Sequence, residues 1–124
     1  MASEEMDKLI EDSNNKMEYL KKSRLCKSII GAHQINLSAI IMMYNSSDGL
    51  NPRFNDGDPY LDKLKAIGFC VNNNFGNAFD VKVKECDAVI ETRDVYNIRE
   101  CLRELSGEIK ASLKAEYNIA DSEL

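Results

Sequence analysis

Four cysteines, Cys26, Cys70, Cys86 and Cys101, and one histidine, His33, are the residues best suited to nucleophilic, redox or metal chemistry in this 124-residue chain. The two nearest cysteines are 15 positions apart, so no C-x-x-C pair offers a zinc or dithiol motif. A Cys–His nucleophilic pair has only His33 to draw on. His33 falls on the same helical face as Ile30 and Leu37, where an imidazole acts more often as a hydrogen-bonded core or interface group than as a catalyst. The plain reading is four reduced thiols serving as small apolar residues, with no metal and no cofactor. Asp48, Asp56 and Asp58 supply carboxylates to a loop over 45–58, but neither Gly49 nor Gly57 stands in the register of a calcium loop. That segment reads as a polar loop.

Signatures of catalysis are missing elsewhere too. The sequence holds no nucleophile elbow, no glycine-rich phosphate loop ahead of a helix, no paired histidines and no recognisable carboxylate dyad. The expectation is therefore a non-catalytic protein. Its balance of 16 basic and 21 acidic residues, a net −5, argues against a nucleic-acid partner, which a basic surplus would serve.

The C-terminal helix, expected from a Thr92 cap to about Tyr117, carries the most information. Val95, Ile98, Leu102, Leu105, Ile109 and Leu113 recur at spacings of three and four, a narrow seam of the kind that pairs helices. Beside it lies a basic sector of Arg93, Tyr96, Arg99, Arg103, Lys110 and Lys114, and Asp94, Glu100, Glu104 and Glu108 complete the circle. Arginines bind phosphates in bidentate fashion and aromatic rings stack on bases. Arg99, Arg103 and Tyr96, with Phe75 and Asn77 from an Asn/Phe/Gly turn, thus form a candidate site for a small anionic ligand such as a nucleotide. The same charges also read as surface ion pairs.

These residues need elements to hold them. Met6, Leu9, Ile10, Met17 and Leu20 predict a first helix over 4–22, capped at Ser3, with a stripe that Ser13 interrupts, so that this helix packs weakly or only in part. Cys26, Ile29, Ile30, Leu37, Ile40, Ile41 and Tyr44 predict a second, continuous with the first or turning back near Ser23. Asp58-Pro59 opens a short helix that Gly68 stops. Phe69–Val71, the alternating 78–84 and Ala88–Ile90 predict two or three antiparallel strands, with a hairpin turn over 72–77. The fold class expected is α+β, in a single domain over 1–124 with frayed ends at 1–3 and 118–124. No run of 18 apolar residues predicts a membrane span, and the acidic start is unlike a secretory signal.

The function expected is a small acidic, regulatory or inhibitor-like interaction protein in the cytoplasm. It would form a homodimer through the C-terminal seam and engage a protein partner. The alternative is a module that binds or sequesters the anionic ligand described above.

Overall fold

The computed structural model describes residues 2–44 and 49–118. Four helices follow one another: α1 (Ala2–Met43), α2 (Pro59–Phe75), α3 (Asp80–Glu91) and α4 (Val95–Tyr117). Among the described residues there is no strand, only an isolated bridge between Arg53 and Asp94. The α+β expectation, with its antiparallel sheet, is therefore wrong. This part of the chain is all-helical.

The reason lies in which apolar residues are buried. In 78–84 the alternation of Phe79, Val81 and Val83 suggested a strand, but Val81 is 84% exposed. The buried residues are Phe79, Val83, Cys86 and Ile90, spaced 4, 3 and 4 along one face of a helix. Phe69, the supposed start of another strand, is 72% exposed. Leu64, Ile67 and Val71 are buried instead, again at helical spacing, so the expected short helix continues to Phe75. Its start is as expected: Asp58 caps it by accepting from the Tyr60 amide at 2.9 Å, and Pro59 opens the first turn. Its stop is Gly76, whose φ of +62° suits a residue without a Cβ and whose amide donates to the Asn72 carbonyl at 2.8 Å.

Gly68 does a different job from the one its type suggested. It is buried within α2, and a Cβ there would stand 2.8 Å from Val83 Cγ1 on α3. The glycine lets the two helices approach. Gly68→Ala gains about 1 kcal/mol of helix propensity but forces a branched side chain with little χ1 freedom to yield. Overpacking of this kind costs about 1–3 kcal/mol. The expected outcome is a net loss of about 1 kcal/mol by urea unfolding, and no such loss when the same change is made in a Val83→Ala background, where the clash is gone.

Helix α4 begins at Asp94, not at Thr92. The Asp94 carboxylate accepts from the Asn97 amide at 3.0 Å, whereas Thr92 ends α3 and its hydroxyl donates to the Val89 carbonyl at 2.6 Å. Around this corner the linker before α2 is tied down. The Phe54 amide donates to the Arg93 carbonyl at 2.9 Å and the Val95 amide to the Pro52 carbonyl at 3.2 Å. Asn45–Asp48, which include Asp48 of the candidate carboxylate set, lie outside the described residues, as do Met1 and the expected frayed tail beyond Asn118. Asn118 itself caps α4 with its amide bonded to the Lys114 carbonyl.

Helix α1 is one rod of 42 residues, about 63 Å long at 1.5 Å per residue. The turn near Ser23 is not made, and Ser3 lies within the helix rather than capping it. Cys26, Ile30 and Leu37 bury one side of its C-terminal half against the other helices, chiefly α4. Nearer the middle, Leu20 packs on Leu113, with Tyr19 and Tyr117 alongside. Tyr19 and Phe75 rings (centroids 5.0 Å apart), Tyr19 and Tyr117 (5.2 Å) and Phe75 and Phe79 (5.4 Å) form an aromatic clasp that closes this end of the bundle. Beyond it, toward the N-terminus, α1 continues alone.

Candidate interaction surface

The α4 seam is internal. Val95, Ile98, Leu102, Leu105, Ile109 and Leu113 are all buried within the single chain. Packing against α1 and α3 uses the stripe that the sequence offered to a second copy.

The residues nominated for an anionic ligand are not brought together. Tyr96 and Arg99 stand in the first turns of α4, with the Arg99 guanidinium 5.5 Å from the Tyr96 ring centre and donating to the Ser38 hydroxyl of α1 at 3.3 Å. Arg103 is turned to its neighbour Glu100, meeting one carboxylate oxygen through Nε at 3.1 Å and Nη2 at 2.5 Å. Phe75 belongs to the aromatic clasp, beside Tyr117 at the far end of the same helix. From Tyr96 to Tyr117 is about 30 Å of helix axis. Asn77 lies in the corner between α2 and α3, on Phe75's side of the molecule. The sequence could not reveal this, because a hairpin turn and a helix–helix corner share Asn and Gly but aim their neighbours differently.

A cluster of Glu85, Glu104 and Cys101 places three donor atoms within 4.8 Å of one another. The Lys82 ammonium already occupies it, 2.5 Å from Glu104 and 3.1 Å from Glu85, and these bonds raise the lysine's pKa. A cation would have to displace an ammonium that is held twice.

His33 is a structural link. Asn36 donates to the Tyr60 hydroxyl at 3.3 Å, and that hydroxyl is hydrogen-bonded to His33 Nδ1 at 2.7 Å, the histidine tautomer setting which of the two donates. Burial, and secondarily the charge of Lys63, hold His33 below its ordinary value of 6.5. In this window the unfolded chain takes up a proton that the folded chain resists. Stability therefore falls as pH drops through 6.5 toward the folded value. Urea midpoints compared at about pH 7.5 and pH 5.5 should show this fall, and His33→Gln should shrink it.

Two apolar surfaces on α1 are left uncovered, and the sequence had marked the first as a weakly packing stripe. Every side chain from Ser3 to Asn15 is exposed, including Met6, Leu9 and Ile10, and Met17 is 54% exposed. The second surface lies on the outer side of the C-terminal half, where Gly31, Ser38 and Ala39 flatten the helix around Ile35 and Met42. Within Ser3–Met43 one 18-residue window is long and apolar enough to cross a membrane by length and composition alone. The expectation of no such span counted unbroken apolar runs, whereas this window averages over interspersed polar residues. The window is 17% buried.

No protein-family model, no curated protein and no solved structure matches this chain.

Proposed function

We propose that the protein is a non-catalytic interaction module that self-associates through the N-terminal arm of α1, with two arms packed antiparallel. The single observation that carries this reading is the unpacked arm itself, about 25 Å of helix beyond the aromatic clasp. An isolated helix of this length is marginal in water, because most helical stability comes from packing an amphipathic face. Met6, Ile10, Ser13 and Met17 repeat at spacings of 4, 3 and 4, the seam of a two-stranded coiled coil, which ends where Leu20 packs on Leu113. A second copy supplies the missing face.

Charge selects the orientation. Residues 4–12 carry five acids against one lysine, and residues 16–27 carry five bases against one glutamate. Parallel arms would set like charge beside like charge, while antiparallel arms set acid beside base. Carbodiimide cross-linking with peptide mapping tests this. Glu5 and Lys21 are 16 residues apart on one rod, about 24 Å, too far for a zero-length link within one chain. Links from Glu4, Glu5 or Asp7 to Lys21 or Lys22 therefore come only from a second copy, and they are the expected result. Links confined to neighbours three or four apart would overturn the arrangement.

A further inference from the structure

The four cysteines, scattered in sequence, are gathered by the fold into two pairs. Cys26 of α1 and Cys70 of α2 hold their sulfurs 3.3 Å apart. Cys86 of α3 and Cys101 of α4 hold theirs 2.7 Å apart, both buried. Every cysteine thus has another cysteine as sulfur neighbour, and each pair joins helices that already pack together. A disulfide needs about 2.05 Å between sulfurs, so each gap closes with a movement of about 1 Å. Cysteines that served only as small apolar residues would have no reason to meet two by two.

We propose that these pairs are dithiol sites that oxidise to two interhelical disulfides by exchange with a low-molecular-weight disulfide such as oxidised glutathione, Cys26–Cys70 before Cys86–Cys101. The order follows from access. Cys70 is half-buried while the other three are buried, so an incoming disulfide meets Cys70 first. The Asn74 amide nitrogen donates to the Cys70 carbonyl at 2.8 Å and thereby stands 3.5 Å from Cys70 Sγ and 3.7 Å from Cys26 Sγ, a polar neighbour for both sulfurs. Burial, then the bond with Cys70, pushes Cys26 up to about 12, which makes it the poorer nucleophile for the first attack; its later attack is intramolecular, on a sulfur already beside it. Cys86 and Cys101 are both raised by burial, so the second pair waits on local opening of α3 from α4.

The exchange balances. The Cys70 thiolate attacks one sulfur of oxidised glutathione, forming a mixed disulfide and expelling one glutathione thiolate. Cys26 gives up its proton and attacks the Cys70 sulfur, expelling the second. Two protein thiols are oxidised to one disulfide, one glutathione disulfide is reduced to two thiols, and the two protons lost by the protein are taken up by the glutathione thiolates.

The test incubates the reduced, folded chain with graded mixtures of oxidised and reduced glutathione, alkylates remaining thiols and maps the peptides. A loss of about 2 Da should come first, with Cys26 linked to Cys70 and both other cysteines alkylated, and about 4 Da later. Cys70→Ser should slow the first oxidation at least tenfold and leave only the Cys86–Cys101 link. Persistent glutathione adducts without a link, any other pairing, formation of Cys86–Cys101 first, or four thiols at every ratio would overturn the proposal.

Discussion

Leu102→Ala is expected to lower the unfolding free energy by about 3 kcal/mol, within the range of about 2–5 kcal/mol that such core truncations cost. Leu102 is 1% exposed at the middle of α4, among Ile98, Leu105 and the residues of α1 and α3 that cover them. Removing its isobutyl group leaves a cavity that four packed helices cannot close. Urea denaturation followed by circular dichroism measures the loss. The result also separates two roles for the seam: if α4 served a second copy, truncation would weaken association, whereas the burial described here makes it weaken folding at every protein concentration.

The second large effect concerns the arm. Ile10→Asp and Met17→Asp each place a carboxylate on the proposed seam, where pairing would require burying an unpartnered charge. Each should weaken self-association at least a hundredfold, read by light scattering across a dilution series. Each should leave the unfolding transition of the monomer unchanged within about 0.5 kcal/mol, since both positions are exposed. Ile35→Asp, on the other exposed surface of α1, is the control and should leave association intact. If Ile35→Asp dissociates the protein and Met17→Asp does not, the interaction surface is the C-terminal half of α1. Binding of the chain to lipid vesicles, abolished by Ile35→Asp, would assign that half to a membrane surface.

The start of α2 and the apolar periodicity of α4 were legible in the sequence, because Asp58-Pro59 and the run from Val95 to Leu113 obey local rules. Residues 69–91 were misread because short apolar runs do not distinguish helix from strand. Val81 and Phe69 completed a period-2 pattern from positions that face solvent. Gly68 and Gly76 are the same residue type, yet one admits a neighbouring helix at Val83, fifteen residues further on, and the other ends its own with its amide on Asn72, four residues back. Phe75 and Asn77 lie away from Tyr96 and Arg99 for a related reason. Sequence could list arginines and a phenylalanine, but it could not say that Tyr19 and Phe79 would claim Phe75 toward the opposite end of α4. The arm was the better omen: the interrupted stripe from Met6 to Met17 predicted weak packing, and the structure leaves it unpacked.

Sedimentation equilibrium of the unmodified chain, from low to high micromolar concentration, tests the central claim most directly. Self-association through the arm predicts a mass that climbs from 14.0 kDa toward twice that value and falls back when salt screens the acid–base pairing. A single species of 14.0 kDa at every concentration would contradict it.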